Sequence, residues 1–180
     1  MKKYNYLMYE KSFPNKRFKY TIEFLKKHVS PSETILDLGV VNPFTQIMLD
    51  HGYSVENTKG EDLDTDVTNI INSKAEVVTA FEIFEHLLSP FTVLKSIKSQ
   101  KLVASVPLKL WFSSAYRSKT DMLDRHYHEF EDWQFDWLLE KAGWKIIDRK
   151  KWTNPTKKIG IRFLKFLLSN LSSRILSYNI

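Results

Sequence analysis

No cysteine occurs among the 180 residues. The chain therefore has no disulfide framework, no thiolate zinc site and no cysteine nucleophile, and its expected setting is a reducing compartment. Long apolar runs are missing too: no stretch of about 18 or more apolar residues is there to span a bilayer. The opening Met1-Lys2-Lys3-Tyr4-Asn5-Tyr6 lacks the apolar segment of a signal peptide. A soluble, cytoplasmic protein is the expectation. Internal repeats, low-complexity segments and a recognisable RNA-binding module are all absent. What is present is enough apolar sequence, 43% of residues, to build one core, so residues 1–180 read as a single domain. The formal net charge is +6, but the basic excess sits in the first 27 residues and after Asp148, leaving an acidic middle. Such peripheral charge suits either an anionic partner, a nucleic acid or a lipid head group, or simply a solvated face.

Apolar spacing orders the elements. Within residues 1–30, Phe18, Ile22 and Leu25 predict an amphipathic helix over Lys16 to His28, ended by Ser30-Pro31-Ser32. Thr34 to Leu38 reads as a buried strand, Phe44 to His51 as a helix stopped by Gly52, and Tyr53 to about Thr58 as a second strand. Val77 to Ala80 is a short strand, Phe91 to Ser99 a helix, and Lys101 to Val106 a strand closed by Pro107. Glu131 to Ala142 is a patterned helix with Gly143 at its C-cap position, and Trp144 to Lys151 a strand. The aromatic stripe Phe130, Trp133, Phe135 and Trp137 is expected in the core. Residues 153–180 form a basic amphipathic segment in which Ile159 to Phe163 has strand character and Phe163 to Leu171 helical spacing. It would pack on its own sheet, on a second copy in a homodimer, or at a membrane interface. Alternation of strand and helix is the signature of a parallel sheet.

Two strand ends carry chemistry. Glu82, Glu85 and His86 follow Val77–Ala80 at i, i+3 and i+4, which in a helical turn is one face, and they are candidate metal ligands or acid/base groups. Asp37 and Gly39 end the first strand, where open α/β sheets bind ligands against helix N-termini. In Gly39-Val40-Val41-Asn42-Pro43, Val41 brings a side chain toward the ligand and Pro43 removes a donor. The loop after Pro107 is aromatic, and Trp111, Phe112 and Tyr116 could stack on a flat or apolar acceptor.

Three stretches carry a resemblance. Ile35-Leu36-Asp37-Leu38-Gly39, Glu82-Ile83-Phe84-Glu85-His86-Leu87 and His128 to Trp144 resemble motifs of the class I S-adenosylmethionine-dependent methyltransferases over roughly Thr34 to Trp152. The resemblance implies a Rossmann-like α/β fold with a mostly parallel, seven-stranded sheet and helices on both faces. It implies S-adenosylmethionine as cofactor, held by Asp37, Gly39 and Val41, with Phe81 and Glu82 lining it. An acid after the second strand would take the ribose hydroxyls: Asp62 is the first candidate, with Glu61, Asp64 and Glu56 as alternatives, and Asp64 or Asp66 would approach the adenine amino group. The second and third glycines of the family's first motif are replaced here. Glu85, His86 and His128 would serve the acceptor, a small molecule methylated on oxygen or, less readily, nitrogen. In some members resembling this pattern, ubiquinone-pathway O-methyltransferases and small-RNA 3′-end methyltransferases, Glu-x-x-Glu-His and a later histidine hold a divalent metal. Glu82, Glu85, His86 and His128 would be that set, with His126 also available and manganese, iron or zinc suiting it. Against this stand a metal-free general base, His86, and hydrogen bonding that only orients loops. The altered glycine loop keeps open an inactive, methyltransferase-like binding or regulatory protein, and the histidine segment an enzyme acting on RNA termini.

Overall fold

The structure is a computed structural model and describes residues 14–109, 114, 116, 118–122, 124–152 and 173–179. The chain runs α1 (Pro14–His28), β1 (Thr34–Asp37), α2 (Pro43–Asp50), β2 (Ser54–Asn57), α3 (Thr68–Asn72) and β3 (Val77–Phe81). A 3-10 turn over Phe84–His86 follows, then α4 (Pro90–Ser96), β4 (Lys101–Pro107), α5 (Asp132–Ala142), β5 (Lys145–Trp152) and β6 (Ser173–Asn179). The sheet order is β2-β1-β3-β4-β6-β5. Strands β2, β1, β3 and β4 are parallel, and β6 runs antiparallel to both β4 and β5.

Because side chains alternate along a strand, neighbours in one strand feed opposite layers. Leu36, Val78 and Leu102 join Phe84, Phe130, Phe135 and Leu139 in one core. Ile35, Val77 and Val103 join Leu25, Met48 and Trp152 in the other, under α1 and α2. Covered on both faces, β1, β3 and β4 read as continuous apolar runs. Helix α2 starts with a capping box between Asn42 and Thr45 and has Pro43 in its first turn, so the proline that removes a donor sits where helices tolerate it. Gly143 closes α5 at φ 99°, the left-handed cap expected of it.

Six strands pair among the described residues, not seven. Between β2 and β3 the chain forms a loop and the five-residue α3, and only residues 73–76 remain to reach β3, so β2 is left as the sheet edge. The strand β6 lies where no strand was expected, and the predicted strand at Ile159–Phe163 and helix at Phe163–Leu171 lie outside the described residues. The aromatic stripe divides. Phe130 and Phe135 are core, but Trp133 and Trp137 are 45% and 64% exposed. On α5, Phe135, Leu139 and Ala142 face the sheet, and residues two positions before and after Phe135 fall on the far side of the helix. There the two tryptophans pack edge to face, centroids 4.7 Å apart.

Phe135 touches both Phe84 (5.8 Å between ring centroids) and Phe130 (5.0 Å), and so braces the turn that follows β3. Phe135→Ala is expected to cost about 3–5 kcal/mol in urea unfolding. A loss under about 1 kcal/mol would show that this contact does not hold α5 to the sheet.

Candidate functional site

The site is built at the carboxyl ends of β1 and β3. Asp37 ends β1 and is 2% exposed. Its Oδ1 accepts from Thr79 Oγ1 of β3 (2.6 Å) and its Oδ2 from Asn57 Nδ2 of β2 (3.0 Å). Burial pushes the Asp37 carboxyl up to about 7, against the lowering effect of these two hydrogen bonds. Gly39 follows at φ 115°, a left-handed conformation that glycine adopts without strain. Its N–H donates to Thr58 Oγ1 (2.7 Å) and its carbonyl accepts from Asn57 Nδ2 (3.2 Å). Val40 and Val41 are exposed beyond it.

At the end of β3 the backbone turns sharply. Glu82 takes φ 58°, its Oε1 accepts from Ser105 Oγ (2.7 Å), and its Oε2 pairs with Arg17 Nη1 of α1 (3.2 Å). Phe81 packs edge to face on Phe44 (5.1 Å). The following residues form a 3-10 turn instead of an α-helical one, so the one-face spacing expected of Glu82, Glu85 and His86 does not apply. Glu82 turns toward Arg17 and Ser105, whereas Glu85 and His86 meet His126.

Glu85, His86 and His126 each bring one ligand-type atom within 4.8 Å of the others. Glu85 is 1% exposed, and its Oε2 has no hydrogen-bond partner. Burial first, and then the Glu82 carboxylate, push its carboxyl well above the usual range. His86 Nε2 stands 3.8 Å from Glu85 Oε1, and its Nδ1 is 3.0 Å from the carbonyl of Arg125. A carbonyl only accepts, so Nδ1 carries a proton, and in the neutral ring the lone pair is on Nε2. The His126 ring meets His86 at 4.7 Å and Tyr116 at 4.7 Å, and burial lowers its pKa, followed by the effect of His86. The Tyr116 hydroxyl donates to Asp124, and its N–H donates to Glu129 (2.6 Å).

His128 lies outside this group: its ring stacks on Phe130 (5.5 Å) and its Nε2 lies 3.4 Å from the Leu88 carbonyl. The backbone explains the choice between the two histidines of His126-Tyr127-His128. Tyr127 and His128 both donate their N–H to the Glu85 carbonyl, which docks this segment with His126 facing His86. Asp64 is engaged as well, accepting from the N–H groups of Leu88 (2.8 Å) and Ser89 (2.7 Å), and so ties the loop after β2 to the start of α4. Asp62 is an exposed carboxylate on that loop that accepts from Asp64 N. Glu61 is occupied by Lys59 N and Asn69 Nδ2. Trp111 and Phe112 lie outside the described residues. Arg17, Asn57, Thr58 and Ser105 were not singled out in the sequence, where nothing marks them apart from other surface or strand residues.

No family model matches the chain, and no curated protein does. Solved structures do. The Burkholderia thailandensis 1,6-didemethyltoxoflavin-N1-methyltransferase, solved with 1,6-didemethyltoxoflavin and S-adenosylhomocysteine, superposes at TM-score 0.64 with 13% identity, covering 90% of this chain and 77% of that one. The N-terminal domain of EvdMO1, in the presence of S-adenosylhomocysteine and D-fucose, gives 0.54 and 13%, with 92% and 82% covered. The [4+2]-cyclase SpnF gives 0.56 and 11%, with 94% and 84% covered. The chain has the α/β, Rossmann-like fold of the class I S-adenosylmethionine-dependent methyltransferases. Among the described residues no helix is long and apolar enough to cross a membrane.

Proposed function

We propose that the chain is an S-adenosylmethionine-dependent methyltransferase acting on an oxygen of a small-molecule acceptor. One observation carries this reading: two histidines and a buried carboxyl converge beside the β3 end, next to the β1 loop against which such folds bind their cofactor. The donor set suits that cofactor. Asp62 offers an exposed carboxylate to a ribose diol, Gly39 keeps the backbone bare at the β1 end, and Val41 and Phe81 offer apolar flanks. Asp37 adds a buried acid behind the loop. Bound there, the cofactor would supply an electrophilic sulfonium methyl. The chain's own task is to orient the acceptor and take its proton. His86, its tautomer fixed by the Arg125 carbonyl, presents the Nε2 lone pair to an acceptor hydroxyl, and His126, kept neutral by burial, accepts or passes on that proton. The toxoflavin enzyme, an N1-methyltransferase solved with 1,6-didemethyltoxoflavin, supports a small acceptor, though its own methyl goes to nitrogen. SpnF marks the limit, since a cyclase uses the same fold.

A second reading rests on the unpartnered Glu85 Oε2. Glu85, His86 and His126 offer one oxygen and two nitrogens, a set for zinc, manganese or iron more than for magnesium. A metal there would acidify the acceptor hydroxyl in place of a histidine base.

Titration of the chelator-treated protein with S-adenosylhomocysteine, with and without zinc or manganese, tests both. Micromolar binding is expected. No binding in either arm would sink the enzyme reading and favour a methyltransferase-shaped partner protein, and metal-independent binding and turnover would remove the second reading. His126→Ala should then lower turnover about 100-fold or more while affinity for S-adenosylhomocysteine stays within about threefold. An unchanged rate would exclude His126 from the proton path.

A further inference from the structure

The first motif lacks two of its glycines, yet the loop it forms is held in place from the neighbouring strand. We infer that Asn57 and Thr58, with Gly60, act as positioning residues for the cofactor loop, doing by side-chain hydrogen bonding what the missing glycines do by backbone freedom. The inference rests on the methyltransferase reading and deepens it.

Thr58, 4% exposed, accepts the Gly39 N–H at 2.7 Å, and its own N–H donates to the Asp37 carbonyl at 3.1 Å. Asn57 Nδ2 sits among Asp37 Oδ2 (3.0 Å), the Gly39 carbonyl (3.2 Å) and Thr45 Oγ1 (3.4 Å). Thr45 Oγ1 is also the acceptor for the Asn42 N–H at the start of α2. One amide group thus joins the end of β1, the loop and the first turn of α2. Gly60, at φ 82°, lies against the loop as well: a Cβ there would stand 2.7 Å from Val40 Cγ1, so the Val40 side chain would have to shift. A loop containing Val40, Val41 and Pro43 has fewer accessible conformations than a glycine-rich one. Its shape must be matched to the ligand in advance and supported by groups that do not themselves touch it.

The test pairs a near-isosteric change with a conservative one. Thr58→Val keeps volume and removes the acceptor, leaving the Gly39 N–H without its partner, whereas Thr58→Ser keeps it. Thr58→Val should weaken S-adenosylhomocysteine binding tenfold or more in titration calorimetry, with Thr58→Ser near wild type and both proteins showing the native circular dichroism spectrum. Amide exchange read by NMR should show the Gly39 N–H losing protection in Thr58→Val alone. Gly60→Ala should weaken binding similarly, through the strain of a side chain at φ 82° together with displacement of the Val40 side chain. If Thr58→Val binds like wild type although its Gly39 amide exchanges fast, the inference is overturned while the methyltransferase reading stands. A wild type that shows the Gly39 protection and binds no S-adenosylhomocysteine overturns both.

Discussion

Replacing Glu85 by methionine is expected to give a more stable protein with little or no activity. The Glu85 carboxyl is almost fully buried, one of its oxygens has no hydrogen-bond partner, and burial together with the Glu82 carboxylate favours its neutral form. A buried polar group left unpaired costs about 1–3 kcal/mol relative to an apolar group of similar shape. Its backbone carbonyl, which accepts from Tyr127 and His128, is untouched by the substitution. The gain in urea unfolding should be about 1–3 kcal/mol at neutral pH. It should shrink at acid pH, because a carboxyl whose folded pKa is raised contributes stability below its unfolded pKa and loses it as the pH rises through the folded value. Turnover should fall about 100-fold or more if Glu85 orients His86 or holds a metal. A destabilised Glu85→Met with intact turnover would mean that the residue serves packing alone.

The Asp37 carboxyl gives the second large effect, with the same sign and a defined window. Its folded value is raised to about 7 by burial, whereas the unfolded chain titrates near the ordinary aspartate value. Stability should therefore be highest below about pH 4 for this group and decline as the pH rises toward 7. A shift of that size corresponds to a few kcal/mol, on the order of 4 at most. Asp148 acts in the opposite direction: hydrogen bonding from Lys27, the largest lowering influence, holds it down at about 2, so its contribution is lost only in strong acid. Between pH 5 and 8 the buried acids act against His126, whose lowered pKa makes stability rise with pH there, so the Asp37 share is the difference between wild type and a variant that cannot ionise at this position. Asp37→Asn should flatten the decline, and an equally steep decline in the variant would assign the dependence elsewhere.

The strands and helices with strong periodicity were legible because burial on both sheet faces demands apolar runs, and β1, β3, β4 and α5 supply them. The place of the Glu82–His86 stretch, directly after a buried strand, was legible as well, since Val77 to Ala80 is an apolar run that ends where the charges begin. Its geometry was not. Spacing translates into a shared face only in an α-helix, and a left-handed Glu82 followed by a 3-10 turn sends Glu82 to Arg17 and leaves Glu85 and His86 to His126. The pairing of His86 with His126 spans 40 positions and depends on two backbone hydrogen bonds to the Glu85 carbonyl, which leave no trace in residue type. Asp64 illustrates the converse. An acid expected beside the adenine of a cofactor accepts from two backbone N–H groups of its own chain. Trp133 and Trp137 misled because aromatic character alone does not say which side of a helix faces the sheet.

The position of β6 between β4 and β5 bears on how the molecule is made. Lys101 of β4 and Lys145 of β5 both stand opposite Asn179, so on a translating ribosome β4 must wait for some seventy further residues before it gains its second neighbour. Until residue 179 clears the exit tunnel, the nascent sheet has an open seam beside β4, with bare backbone groups of the kind that recruit chaperones or foreign strands. The parallel half carrying the site can assemble early, while the seam closes only when β6 emerges.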